Sequence, residues 1–192
     1  MNFISLKINF PQSFVTFAER MGLREKYANR KLLKAEAAFR HQPKIPSLES
    51  VKKVGIIWEP DEKEAYRYLK EYFTEKGAAV NALCVYYNNV EFATDTNSLT
   101  PKELDWLKFP KEGKITHFTE KQYDLLLNIA LHQNITLDFV TLTTRAKFKV
   151  GWSPNEKNYF DLNINISQNQ DALFLAKQQI FYLAQLNQKT SK

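Results

Sequence analysis

The sequence is poor in cysteine and has no long apolar segment. Its one cysteine, Cys84, lies in an apolar run, and a single thiol cannot form an intramolecular disulfide. This usage is typical of proteins in a reducing compartment. The opening stretch, MNFISLKINFPQSF, has no uninterrupted apolar run of signal-peptide length, and nothing approaches the roughly 20 apolar residues that span a bilayer. We therefore predict a cytoplasmic protein without a transmembrane segment.

Glycine and histidine are also scarce, which bears on cofactors. The five glycines form no G-x-G-x-x-G or Walker pattern, and the three histidines have no partner at metal-ligand spacing. Phosphate-binding loops need glycines where the backbone approaches the phosphate, and zinc sites need clustered ligands. A G-x-S-x-G elbow is absent as well. The sequence therefore predicts no cofactor, no metal and no catalytic residue. It favours a non-enzymatic protein, although an unfamiliar active site would leave no motif.

Positive charge is abundant at the start of the chain but not elsewhere. Residues 1–53 hold eleven Lys/Arg and four Asp/Glu, whereas residues 54–192 hold 16 and 17, and the whole chain has a net charge of +6. Such asymmetry favours an anionic partner. A solvated charged helix without any partner is the alternative that the composition leaves open.

A basic helical arm is predicted within this charged segment. Apolar residues recur at helical spacing from Phe14 onward, Gly22 is a candidate break, and the prolines of HQPKIP (41–46) end the helix. We predict an arm and linker over residues 1–46 and an α/β domain over residues 47–192. The candidate nucleic-acid contacts are Arg20, Arg24, Tyr27, Arg30, Lys31, Lys34 and Arg40.

The rest of the chain alternates strands with helices. VKKVGIIW (51–58) and AVNALCVYY (79–87) are apolar runs typical of buried strands, and residues 61–75 between them are amphipathic. A strand–helix–strand unit of this length forms a right-handed crossover between parallel strands. Further strands are predicted at YDLLLNIA (123–130) and AKFKVGW (146–152), with helices over residues 135–145 and 170–186.

One predicted strand differs from the others. NYFDLNINI (158–166) alternates apolar and polar residues, which is typical of a strand with one solvated face. About five residues separate it from the preceding strand, too few for a crossover helix, so we expect an antiparallel pair. The predicted fold is therefore α/β, a three-layer, Rossmann-like, mostly parallel sheet with an antiparallel edge strand, preceded by the basic N-terminal helical arm.

A crevice is expected where this sheet reverses its strand order. Ligands of open α/β sheets bind there, outside the carboxyl ends of the strands. The loop after the first strand, WEPDEKE (58–64), carries acidic residues that repel phosphate. Carboxylates in such a place can serve as acid–base groups or metal ligands, and the alternatives are helix capping or a structural tie between loops. The crevice candidates are Glu59, Asp61, Asn128 and His132.

The run YDLLLNIA, followed by a helix and then RAKFKVGW, resembles a segment of the heptosyltransferase-like glycosyltransferases. That family shows a Y-D-L-hydrophobic strand, a helix and an A-(K/R)-x-(K/R)-(V/I)-G-(F/W/Y) strand in its N-terminal half. The resemblance implies a Rossmann-like half. The second half, where such transferases bind the nucleotide-sugar, has no room in these 192 residues, so we do not expect their activity. The matching residues are Tyr123, Asp124, Leu125, Ala146, Lys147, Lys149, Val150, Gly151 and Trp152.

Over its whole length the chain resembles an uncharacterised family of bacterial proteins, catalogued as a domain of unknown function. Its members show a basic N-terminal arm, a VGII-type first strand, a YDLLLN-like third strand, A-K-F-K-V-G, and a hydrophobic last strand and helix. The resemblance implies the fold and a cytoplasmic location, but it implies no activity and no substrate. The matching ranges are 20–40, 54–57, 123–128, 146–151 and 159–166.

Three functional hypotheses follow from these patterns. We favour a binding module whose arm contacts RNA or a ribonucleoprotein, because residues 20–44 hold eight Lys/Arg against two acids, with Tyr27 and Phe39 available to stack on bases. The second is peripheral membrane contact, and the third is an α/β enzyme related to a glycosyltransferase half. The oligomeric state stays open. The apolar residues of the membrane hypothesis are Phe3, Ile4, Leu6, Phe10, Phe14 and Phe17.

Overall fold

The computed structural model describes residues 12–39, 41–88 and 97–190, with side chains between residues 22 and 186. The strands are β1 (Lys53–Trp58), β2 (Ala79–Val85), β3 (Ser98–Leu99), β4 (Leu125–Asn128), β5 (Lys149–Gly151) and β6 (Leu162–Asn163). The helices are α1 (Gln12–Ala38), α2 (Lys63–Glu75), α3 (Thr116–Thr119), α4 (Ile135–Thr143) and α5 (Ala172–Thr190). Single 3-10 turns lie at Pro60–Glu62 and Pro101–Glu103.

The six strands form one parallel sheet in the order β3-β2-β1-β4-β5-β6. The chain builds outward from β1 through β2 to β3, and then returns to place β4 on the other side of β1. The order therefore reverses between β1 and β4. This doubly wound order agrees with the predicted Rossmann-like class, although the sequence leaves the strand order open, and its crevice lies outside the carboxyl ends of these two strands.

The first crossover unit shows why the sequence predicts this fold. β1 is buried on both faces, and α2 covers it with an apolar stripe that includes the fully buried Leu69 and Phe73. The helix ends before Gly77, whose φ of 75° is left-handed and favours glycine. β2 then returns parallel to β1.

Helices cover both faces of the sheet, so the three-layer architecture is confirmed. On one side α2 and α5 pack against Leu125 and Leu127 of β4. On the other side α3 and α4 pack against Leu126, together with the buried ring of Tyr123. Because successive residues of a strand point to opposite faces, one short apolar strand supplies both cores.

The predicted antiparallel edge strand is wrong. β6 pairs with β5 in parallel, with Val150 opposite Leu162. The strand is two residues long rather than nine, so the connection from Gly151 to Leu162 is longer than the sequence pattern suggests. This connection is long enough for an irregular segment to return the chain to the end of the sheet where β5 begins, so the parallel pair forms without a crossover helix. The alternation correctly predicts that Ile164 and Ile166 are buried, whereas Phe160 and Leu162 are only half-buried, and it does not determine the strand direction.

Helix α1 is continuous through Gly22 and packs on the domain. Ala28 and Leu32 are buried in a small cluster with Phe109 and with Leu142 of α4. The sequence leaves open whether the arm packs or is free, and these contacts answer the question for the described part of the helix. The division of the chain at residue 46 stays a prediction.

Candidate functional site

The crevice at the reversal of strand order brings two predicted residues into contact. Glu59 follows β1 directly, and His132 lies in the loop after β4. The Nδ1 atom of His132 is 3.2 Å from Oε2 of Glu59. The carboxyl ends of parallel strands meet at the same edge of a sheet, so residues 73 positions apart become neighbours.

Glu59 is an unusual carboxylate because it is buried. The residue is 1% exposed, whereas the His132 side chain beside it is 76% exposed. Burial raises the pKa of Glu59, and its interactions with His132 oppose that shift. Its second oxygen, Oε1, makes no hydrogen bond with the described residues. A buried acceptor without a partner is rare in folded proteins.

Glu62 is a second buried carboxyl group, and it is missing from the sequence-based candidates. Its Oε1 accepts a hydrogen bond from the backbone N–H of Leu131, and its Oε2 accepts one from that of Glu59, both at 2.7 Å. The side chain therefore ties the loop after β1 to the loop after β4. Burial raises its pKa to about 8, although the two N–H donors act in the opposite direction. The E-P-D-E spacing is a capping signal, so it predicts the hydrogen bond from the Glu59 N–H but not the one from the Leu131 N–H.

Asn128 and Asp61 occupy the base and the rim of the crevice. Asn128 is fully buried, donates to Thr141 Oγ1 at 3.0 Å and accepts from the N–H of Ala130 at 2.9 Å. Its side chain is thus engaged within the fold. The exposed Asp61 accepts a 2.6 Å hydrogen bond from the hydroxyl of Tyr87, and this bond raises the pKa of the tyrosine.

The basic face of α1 differs in part from the predicted set. Tyr27, Arg30 and Lys34 are exposed, and Arg24 is half-buried. Lys26, which is not among the predicted contacts, is exposed on the same face as Arg30 and Lys34, since these residues are spaced by four. The Arg20 side chain and the whole of Arg40 lie outside the described residues.

Lys31, in contrast, is directed at the domain. Its Nζ lies 3.2 Å from Oδ2 of Asp105 and 4.2 Å from the centre of the Phe109 ring. Burial alone would raise the pKa of Asp105, but N–H groups of Phe109 and Leu107 and the Lys31 ammonium lower it below its usual value. Lys31 therefore helps to attach α1 to the domain.

We expect the Lys31→Met substitution to lower the free energy of unfolding by about 1 kcal/mol, because a half-exposed ion pair and a cation–π contact are each worth about that or less. The methionine keeps the apolar part of the side chain in place. Urea denaturation measures the change, and NMR titration should show a higher pKa for Asp105. Lys34→Met is the matched control on the exposed face, and equal stability losses in the two variants would contradict the assignment.

Neither a metal-binding cluster nor a membrane-spanning helix occurs among the described residues. No cluster of three or more His, Cys, Asp or Glu side chains in this part of the chain is arranged to hold a metal ion. None of the helices, over the residues that the structure covers, combines the length and apolarity needed to cross a bilayer. The aromatic residues of the membrane hypothesis lie before residue 12, or within residues 12–21, whose side chains are not described.

The sheet order and the helices on both faces define an α/β protein of the Rossmann-like class. A family model described as a family of unknown function (DUF6913) matches residues 23–186, which is most of the chain. The chain belongs to this family, which confirms the whole-length resemblance. Comparison with curated proteins and with solved structures gave no significant match. The local resemblance to heptosyltransferase-like enzymes stays a prediction.

Proposed function

We propose that the protein is a non-enzymatic binding module that contacts single-stranded RNA in the cytoplasm through the exposed basic face of α1. The observation that carries this proposal is a row of exposed cations on a helix that packs against the domain. Lys26, Arg30 and Lys34 lie one turn apart on the outer face of a helix whose inner face is anchored by Ala28 and Leu32. Cations in a fixed row can follow a phosphate backbone.

These three cations are available to an external anion. None of them forms an ion pair with a residue that the structure describes, whereas Lys31 on the inner side does. Residues 22–38 of α1 hold five Lys/Arg against two glutamates, while α2 holds three of each. The field in front of α1 is therefore positive, which suits a polyanion.

The same face also offers rings and apolar surface between the charges. Tyr27 is 56% exposed, and Leu23 and Leu33 are exposed to a similar extent. Aromatic rings next to cations are the usual platform for unstacked bases, since every base has a face that can stack. A double helix keeps its bases stacked internally, so single strands are the better substrate for this surface.

The test is a fluorescence-anisotropy titration of the full chain with a labelled single-stranded RNA at several salt concentrations. If about four phosphates are engaged, the log–log salt slope should be about −3. Replacing Lys26, Arg30 and Lys34 together by glutamine should weaken binding by about tenfold or more and reduce the slope by about 2. Tyr27→Ala should weaken binding about tenfold with little change in slope, because stacking is not electrostatic.

Helix α2 provides the matched control. Lys63, Arg67 and Lys70 have the same composition as the α1 set and are exposed on one helix, so their triple glutamine variant loses the same net charge. The control should retain full affinity. Equal weakening by both triple variants, or the absence of any salt-dependent RNA binding, would contradict the proposal. Binding to anionic vesicles without RNA binding would instead favour the membrane hypothesis.

A further inference from the structure

A strongly exposed tryptophan lies on the loop between the 3-10 turn at Pro101–Glu103 and α3. Trp106 is 68% exposed, the largest value among the big apolar and aromatic residues that the structure describes. The other two tryptophans, Trp58 and Trp152, are half-buried and buried. A tryptophan usually buries most of its ring, because indole has a large apolar surface. An exposed indole ring is therefore a candidate contact for a partner.

The loop holds this ring in solvent. Oδ1 of Asp105 accepts hydrogen bonds from the backbone N–H groups of Leu107 at 2.8 Å and of Phe109 at 2.9 Å. Leu107 is half-buried and Phe109 is fully buried, and both belong to the cluster that packs against α1. The alternate residues, Trp106 and Lys108, are exposed. A loop fixed in this way loses little conformational entropy when a ligand stacks on its ring.

The same loop is attached to α1 close to Tyr27. Nζ of Lys31 lies 3.2 Å from Oδ2 of Asp105, and Trp106 is the next residue in the chain. Tyr27 lies one turn before Lys31 on α1, and side chains four residues apart on a helix are neighbours. Tyr27 is itself 56% exposed. The two exposed rings therefore adjoin the same ion pair, one on the helix and the other on the loop.

The charges of this loop suit a phosphate backbone. Residues 101–110 contain two acids, and both are paired: Asp105 with Lys31, and Glu103 with the Nζ of Lys114 at 3.3 Å. Lys108 is exposed and forms no ion pair with a residue that the structure describes. The loop therefore adds an available cation next to the indole ring, and its paired carboxylates repel an anion less than free ones would.

We propose that Trp106 is a second stacking site for single-stranded RNA, in which its indole ring stacks on one base while Tyr27 stacks on another base of the same strand. Lys108 contacts a phosphate beside the indole ring. The inference rests on the proposed function, and it adds a path for the strand, which passes from the exposed face of α1 onto the loop. Stacking on aromatic rings tolerates any base, so this site contributes affinity with little sequence preference.

The test follows intrinsic tryptophan fluorescence of the full chain during titration with an unlabelled single-stranded RNA, beside the anisotropy titration described above. Stacking of a base on Trp106 should quench the fluorescence in a saturable way, at the same RNA concentrations that change the anisotropy. A double-stranded RNA of the same sequence should quench much less, because its bases are already stacked internally.

Two variants of Trp106 have matched controls. Trp106→Ala should weaken RNA binding about tenfold with little change in salt slope, whereas Phe181→Ala, which removes an exposed ring from α5, should not weaken it. Trp106→Phe should lose most of the quenching. Trp58→Phe, which changes a half-buried tryptophan, should keep it.

The outcomes separate this inference from the proposed function. Salt-dependent RNA binding without any quenching, or with full affinity in Trp106→Ala, would overturn the role of Trp106 and leave the basic face of α1 as the binding surface. Equal losses of affinity in Trp106→Ala and Phe181→Ala would overturn it too. A chain that shows no RNA binding by anisotropy would overturn both proposals.

Discussion

The free energy of unfolding is expected to fall by about 3 kcal/mol between pH 5 and pH 8 because of Glu62 alone. In the folded protein, burial raises the pKa of this side chain from 4.5 to about 8. The folded state therefore keeps a proton that the unfolded state has already released. Because the folded state binds more protons in this window, each rise in pH within it favours the unfolded state.

Glu62→Gln removes the titrating group while keeping its size. The variant should lose at most one of the two hydrogen bonds to Glu59 and Leu131. This loss lowers its free energy of unfolding by about 1–3 kcal/mol at every pH. Its stability curve should consequently be flatter by about 3 kcal/mol than that of the unmodified chain over the same window. Urea denaturation at a series of pH values measures both curves.

Other groups contribute to the absolute curve, so the difference between the two chains is the informative quantity. Burial also raises the pKa of Asp138 to about 6. In both chains this group therefore adds a further loss of stability as the pH rises toward 6. Glu64→Gln changes an exposed carboxylate in the same region and should leave the slope unchanged. If the curves of the unmodified chain and Glu62→Gln run parallel from pH 5 to pH 8, Glu62 titrates normally and the assignment fails.

Gly151→Ala is expected to destabilise the protein by about 2–3 kcal/mol, because the added methyl group would overlap a packed ring. Gly151 ends β5 and is buried, and the Phe160 ring occupies the space that a Cβ atom on this residue would take. A Cβ atom at this position would meet the ring well inside normal contact distance. The ring must therefore move, and with it the segment that leads into β6. Chemical denaturation gives the size of the effect.

Two further variants make this prediction specific. Adding Phe160→Leu to Gly151→Ala should recover part of the lost stability, so that the two changes together cost less than their sum. Gly22→Ala is the contrasting control, because no atom of the described residues lies within 4 Å of a Cβ at that exposed helical position. It should raise the free energy of unfolding by about 0.5–1 kcal/mol. A Gly151→Ala variant as stable as the unmodified chain would rule out the close packing of Phe160.

Much of the fold could be predicted from local patterns. The apolar run of β1, the amphipathic stripe of α2 and the left-handed Gly77 are each visible in a short window of sequence. The direction of β6 was not predictable in this way, because alternation gives the faces of a strand but not its orientation. The two-residue β3 was missed as well, since so short a strand has no periodicity to detect.

The candidate crevice could be predicted in part. The positions of Glu59 and His132 after neighbouring strands follow from topology, which the strand pattern indicates. The burial of Glu62 does not, since acidic residues near a helix start usually cap the helix in solvent. Lys31 was grouped with free cations because its partner, Asp105, is 74 positions away in the chain. Contacts of this range are set by packing, which a charge pattern does not report.

The two outermost strands of the described sheet, β3 and β6, have two residues each, whereas the inner β1 and β2 have six and seven. Aggregation by strand addition needs a long, flat row of unpaired backbone N–H and C=O groups as its template. Because β3 pairs only with Cys84 and Val85, residues 79–83 of β2 have no strand partner on that side among the described strands. The taper therefore moves the open edge inward to β2, where the Lys121 ammonium group donates to Asn81 and places a positive charge of the kind that discourages pairing with another chain.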